Sequence, residues 1–190
     1  QLFSIGLWEL NEDGSQKVDS DGNPIPTYTN ANIEAFARIF TGFRYSSRNT
    51  NNNIERVNVQ NRIDEMRMDQ RRHDFGTVYF LDGSVIMPNN GIHSAQNALA
   101  RVDDLIHKLF LHPNTPVFFA KSMIQRFTCS NPPPDYIKDV ATAFSTGRYN
   151  GKGTGQRGDL TATYKAILLH PYARNNIGIL SSNGKLQEPL

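Results

Sequence analysis

Arg71-Arg72-His73-Asp74 places four titratable side chains in consecutive positions. An adjacent histidine and aspartate can share a divalent cation, or the carboxylate can orient the imidazole of a general base. Neighbours on a regular strand face opposite sides, so the pair meets at one site only where the chain turns; Gly76 supplies such a turn. A metal takes three or four ligands. The other histidines, His93, His107, His112 and His170, are scattered without ligand spacing, which leaves Asp69 and Asp82 as the local residues to complete a set. The competing reading is structural, with Asp74 bonded to backbone N–H groups or an arginine and His73 touching only protein. His73 and Asp74 are therefore the candidate catalytic residues. No cofactor is expected, and the sequence assigns no metal.

The remaining motifs read as architecture. Gly153-Thr154-Gly155-Gln156-Arg157-Gly158 has the G-x-G-x-x-G spacing and opens a helix, but a helix rather than a strand precedes it, so it reads as a helix–helix loop. No Gly-Lys-Ser or Gly-Lys-Thr is present for a phosphate loop, and no Gly-x-Ser-x-Gly elbow for a nucleophile. Cys129 follows an apolar helix and reads as a structural thiol. Asp103 and Asp104 are adjacent, point to different helix faces and read as solvated surface. His112-Pro113 and His170-Pro171 read as helix ends. Asp13-Gly14 and Asp21-Gly22 read as turns, since the acidic spacing does not meet a twelve-residue calcium loop.

Composition narrows the class. The 190 residues are 38% hydrophobic, and 20 Lys+Arg against 18 Asp+Glu leave a charge of +2. That excludes a strongly basic nucleic-acid module, and no run approaches the roughly 20 apolar residues of a membrane helix. One cysteine excludes an internal disulfide. No signal peptide is visible. The apolar opening Gln1-Leu2-Phe3-Ser4-Ile5 and the closing Gln187-Glu188-Pro189-Leu190 read as cuts from a longer chain, so the rest of its own chain is an expected partner.

The elements that must position these residues follow from periodicity. Residues 8–28 read as a hairpin region. A helix capped by Thr29 or Asn30 carries Ile33, Phe36, Ala37 and Phe40 at i, i+3, i+4 and i+7. The Asn-rich stretch 44–64 has no period and reads as a surface loop. Thr77 to Leu81, ending at Asp82-Gly83, reads as a short strand, with strands confined to 8–28 and 66–82. Helices are predicted over 95–111, 115–128, 134–146 and 159–169. Their core is Leu99, Val102, Ile106, Phe118, Ile124, Phe127, Val140, Phe144, Leu160, Ile167 and Leu168. The predicted fold is mainly α: a helical bundle over 93–190 with a small hairpin and short-strand portion in 1–92, together forming one domain or part of a larger one.

Several phrases, in order, carry a resemblance. They are Gln1 to Gly6, Asp21 to Thr29, Phe40-Thr41-Gly42-Phe43, Arg72-His73-Asp74, His112-Pro113-Asn114-Thr115-Pro116 and Phe119 to Arg126. Ser130-Asn131-Pro132, Arg157 to Leu160, Ala166 to Pro171 and Gly184 to Pro189 complete them. With these the chain resembles the bacterial domain-of-unknown-function family numbered 1800 over nearly its whole length. The resemblance implies the C-terminal segment of a larger bacterial protein. It also implies export to the periplasm or cell exterior, and a gene that neighbours one of a second uncharacterised family, numbered 1501, that resembles exported sulfatases and phosphatases. The resembled family itself, numbered 1800, carries no established activity. Where it usually has a lysine a few residues past His-Asp, this chain reads Thr77-Val78-Tyr79-Phe80.

Three functions are consistent with this reading. The favoured one is a non-enzymatic scaffold or partner of another exported protein or of extracellular polymer. The second is a metal-assisted hydrolase using His73 and Asp74. The third is extracellular carbohydrate binding through Trp8, Tyr28, Tyr45 and Tyr149, although aromatics mostly build core and interface. Neither a nucleic-acid partner nor a membrane-spanning segment is expected.

Overall fold

A computed structural model describes residues 4–46, 49–50, 53–54, 63–87 and 91–174. The described elements, in chain order, are α1 (Asn30–Ile39), β1 (Phe43–Arg44), β2 (Asn49–Thr50), β3 (Asn53–Ile54), β4 (Arg67–Met68), α2 (Ala95–Leu111), α3 (Asn114–Phe127), α4 (Pro134–Thr146), α5 (Leu160–Leu169) and α6 (Pro171–Arg174). The chain is mainly α, as its periodicity predicts. It divides into two compact units: Gln1–Thr27 with Leu109–Leu190, and Tyr28–Lys108.

In the first unit, residues 8–26 run as three short antiparallel passes. Leu10 bridges Gln16, Val18 bridges Pro24, and Trp8 bridges Pro26. Gly14 and Gly22 close the two turns, each donating its N–H three residues back, to Asn11 O and Asp19 O. The Asp13 and Asp19 carboxylates accept backbone N–H groups of their own turns. The turn reading therefore accounts for the acidic cluster. Asn114, at the start of α3, ties this ribbon down. Its Nδ2 donates to Ile5 O and Trp8 O, both at 2.7 Å, and its Oδ1 accepts Leu10 N at 2.8 Å.

The core of this unit forms where α3, α4 and α5 meet: Val117, Ala120 and Ile124, then Tyr136, Ile137, Val140 and Ala141, then Ala166 and Ile167. Of the predicted core, Val102, Ile124, Val140, Phe144 and Ile167 are buried and Phe118 is half-buried. Leu99, Ile106, Phe127, Leu160 and Leu168 are instead exposed. The reason is angular. On α2 the buried line is Ala98, Arg101, Val102 and Leu105, so Leu99 and Ile106 flank it. On α5 apolar residues lie on nearly every side, and period alone cannot choose the face that packs. The same holds on α1, where Phe36 and Ile39 are buried while Ile33 and Phe40 are exposed.

Helix ends follow local chemistry. Thr29 and Asn32 form a reciprocal capping box at α1. Gly147 ends α4 in the left-handed region, at φ 64°, and a β-carbon there would lie 2.1 Å from Gln156 O, so only glycine fits. Asp159 caps α5 by accepting Ala162 N at 3.0 Å. His112 and His170 cap forward rather than backward: each accepts through Nδ1, from Asn114 N and Tyr172 N at the next helix. An accepting Nδ1 spends its lone pair on the helix that follows rather than on the one it ends.

Strands are short and extend beyond the predicted stretches. β1 pairs antiparallel with β4 and β2 with β3, so the Asn-rich segment read as loop contains strand pieces. Tyr79 bridges Val85 across the Asp82-Gly83 turn. Among the described residues, no helix is long and apolar enough to cross a membrane.

Candidate functional site

The site lies in the second unit. β1 and β4 pair Phe43 with Met68 and Arg44 with Arg67, and Asp69 N then donates to Gly42 O. A turn over Asp69–Arg72 follows. The Asp69 carboxylate closes it by accepting Arg71 N at 3.1 Å and Arg44 Nη1 at 3.2 Å. Leaving this turn, the chain runs back along the end of α1, where Thr41 receives both candidate residues. His73 Nδ1 lies 2.9 Å from Thr41 O, and Asp74 N donates to Thr41 Oγ1 at 2.8 Å. A carbonyl only accepts, so Nδ1 carries the ring proton and Nε2 is left with the lone pair in the neutral ring. Nε2 is buried and has no hydrogen-bond partner among the described residues. The ring packs edge-on to Phe75 at 4.6 Å, and Phe75 stacks on His93 at 4.4 Å.

Asp74 points at arginine. Arg38 donates Nε to Oδ2 at 2.7 Å and Nη2 to Oδ1 at 3.1 Å, and Gly76 N adds a third bond to Oδ1 at 2.7 Å. The Arg38 guanidinium first, and then the Gly76 N–H, hold the carboxyl at about 2, against the opposing effect of burial. Asp69 and Asp82 do not join the His73 ring. The first serves its own turn and Arg44, and the second accepts Ser84 N at 2.8 Å. Among the described residues, no group of three His, Cys, Asp or Glu side chains is placed to hold a metal.

Sequence reasoning missed Arg101. It is only 2% exposed, donates Nη2 to Gly76 O at 2.6 Å, and leaves Nε and Nη1 buried without a partner. Burial pushes its proton affinity down, while the Asp74 charge works the other way. The signal was present: an arginine in the stripe Ala98-x-x-Arg101-Val102-x-x-Leu105, where the helical period calls for an apolar residue. Thr41 carried no such signal, since it acts through contacts more than 30 residues away in sequence.

His73 and Asp74 line an open cleft of about 690 Å³ with Gln70, Arg71, Phe75, Gly76 and His93. Arg38 and Arg101 flank one carboxylate, Asp74, and Arg71 adds a further cation at the wall. The arrangement therefore carries a positive surplus and favours negatively charged groups.

The other motifs are structural. In the Gly-rich loop, Gly155 N donates to Gly147 O and Gly158 N to Phe144 O. The amides at the α5 start are engaged by the chain's own Asp159. Cys129 is buried, and burial pushes its thiol up. Of the four aromatics, Trp8 and Tyr45 are exposed while Tyr28 and Tyr149 are half-buried. Tyr149 packs on the core of the first unit.

The model of a family described as protein of unknown function (DUF1800) matches residues 1–190. Neither the curated proteins nor the solved structures offer a match to this chain.

Proposed function

The chain belongs to the DUF1800 family, and on that premise we propose that it is an exported bacterial protein that works by binding, as a scaffold or partner of another exported protein. One observation carries the binding reading: the Asp74 carboxylate is committed to Arg38 and to the Gly76 N–H. A carboxylate that ligated a metal or steered the His73 imidazole would have to leave a bidentate ion pair, among the stronger hydrogen-bonded arrangements a protein makes. Here it shapes a loop. Export to the periplasm or cell exterior rests on the family resemblance, and cell fractionation tests it.

A second reading, metal-assisted hydrolysis, is favoured by a different observation. The His73 Nδ1–H is fixed on Thr41 O and Nε2 keeps its lone pair, the way metal-ligating and general-base histidines are oriented. The metal content of the purified protein decides between them. The binding reading expects no stoichiometric divalent metal, and a lowered melting temperature in Asp74→Asn. One equivalent of a divalent metal, lost in His73→Ala, would overturn it in favour of the hydrolase.

A further inference from the structure

Within the first unit, the turn after Leu10, the start of α3 and one face of α4 line a groove of about 500 Å³. The α4 face presents Lys138, Ala141, Thr142 and Ser145, spaced i, i+3, i+4 and i+7 along one side of the helix. Leu10, Pro116 and Val117 join Ala141 as the apolar part of the wall. The charged part is Lys17, Lys138 and Arg157 against one carboxylate, Glu12. Each lysine meets a glutamate through a single contact at 3.3 Å, Lys17 with Glu9 and Lys138 with Glu12, between side chains open to water. Such pairs hold little energy and exchange partners readily. Arg157 is different. Its Nε and Nη2 are spent on Phe110 O and His112 O, and its plane is held over the Phe110 and Phe144 rings. Nη1 bonds to nothing among the described residues and is not closed off by burial, so it is the guanidinium nitrogen left to meet solvent. No carboxylate pairs with Arg157, and burial alone moves its proton affinity, downward. Even with Glu9 and Glu12 both counted, one positive charge is left over at the groove.

We propose that this groove binds a small organic carboxylate, its charge held by Arg157 and the two lysines and its apolar body lying on Leu10, Pro116, Val117 and Ala141. A surplus of one charge matches a monoanion, and the apolar wall matches an organic anion rather than sulfate or phosphate. The volume falls within the roughly 300–1,000 Å³ of small-molecule sites, which points to a free molecule as the occupant. Arg157 is preorganised for it, because the carbonyls and rings that fix its plane cost nothing further on binding. The groove shares no residue with the cleft of His73 and Asp74, so this site goes beyond the binding reading above and does not depend on it.

Calorimetric titration of the purified protein with hexanoate, hexanamide and acetate tests this. Hexanamide keeps the body and lacks the charge, and acetate keeps the charge and lacks the body. Hexanoate should saturate one site and raise the melting temperature, as any ligand of the native state does. The other two should each bind about tenfold more weakly or worse. Sulfate at equal ionic strength should not displace hexanoate. Thr142→Trp fills the groove from an exposed position of α4, and the two residue types have similar helix propensity. It should abolish hexanoate binding while the melting temperature without ligand stays at the wild-type value. The double variant Lys17→Gln/Lys138→Gln removes two solvated charges and leaves Arg157 in place. It should weaken hexanoate about threefold or more and leave hexanamide unchanged. Equal binding of hexanoate and hexanamide, equal binding of hexanoate and acetate, or displacement by sulfate would each overturn the proposal. So would wild-type affinity for hexanoate in Thr142→Trp or in the double lysine variant.

Discussion

Arg38 Nη2 stands 2.0 Å from the point a β-carbon on residue 76 would occupy. The ion pair between Arg38 and Asp74 therefore exists because residue 76 is glycine. The φ of Gly76 is not positive, so its requirement is spatial: the missing side chain makes room for a guanidinium delivered from α1. The loop that carries His73 is built around this substitution of one group for another.

Gly76→Ala should push Arg38 off Asp74. The pair is partly exposed, at 43% and 39% for the two side chains, so the loss is modest, about 1 kcal/mol. Because both changes remove the same interaction, the double variant Arg38→Ala/Gly76→Ala should be no less stable than Gly76→Ala alone. Urea midpoints of the four proteins check this, and additive losses would contradict the shared interaction.

Acid stability should depend on Asp74. Its carboxyl is held at about 2 in the folded protein, below the ordinary value of about 3.9 expected for the unfolded chain. A lowered folded value gives stability that is fully present above the unfolded pKa and lost as pH falls through the folded one. The window is therefore roughly pH 4 down to 2. Asp13, Asp19, Asp69, Asp82 and Asp159 are also lowered, so the wild type alone cannot isolate the effect. Asp74→Asn should be less stable at pH 6 and lose less on acidification. Parallel acid profiles of the two proteins would exclude Asp74 as a contributor.

Asn114→Ala should cost about 2–3 kcal/mol, the price of leaving buried backbone groups unpaired. Asn114 is 3% exposed and serves Ile5 O, Trp8 O and Leu10 N together. Native-state hydrogen exchange should show the Leu10 amide losing protection first. Unchanged protection there would show that the ribbon is held by its turns alone.

What the sequence made legible was local. Helix extents over α2 to α5, the Thr29 start and the Asp-Gly turns follow from periodicity and from residue types that act within four positions of themselves. The direction each helix faces depends on partners that periodicity does not name, which is why Phe127, an apolar residue in the last turn of α3, lies exposed against Tyr164. The candidate site divides the same way. His73-Asp74 stood out as neighbouring titratable groups. Their partners, Thr41 and Arg38, lie more than 30 residues away, and nothing about either residue type announces that contact. Arg101 was readable in principle, because a charge on a buried stripe breaks the local pattern for a reason held elsewhere.

Arg157→Lys should destabilise the first unit by about 1.5–3 kcal/mol, the range for hydrogen bonds from a charged group. Arg157 donates Nε and Nη2 to Phe110 O at 3.1 and 3.0 Å, and Nη2 also to His112 O at 3.1 Å. These carbonyls close α2, where helix geometry leaves acceptors unpaired and the dipole favours a cation. The guanidinium also lies over the Phe110 and Phe144 rings, 5.5 and 5.7 Å from their centroids. Lysine keeps the charge, but it has a single nitrogen where two meet Phe110 O and no plane to lay on the rings. Gly158, the next residue, leaves its β-carbon space to Phe110, 2.7 Å away, so the backbone is not free to shift and carry the shorter lysine amine to the carbonyls. Thermal melts of Arg157→Lys and Arg157→Met separate the two contributions. Lysine should retain part of the stability through its charge at the end of α2, and methionine less. Equal losses for the two would show that the hydrogen-bonded fork, and not the charge, closes α2.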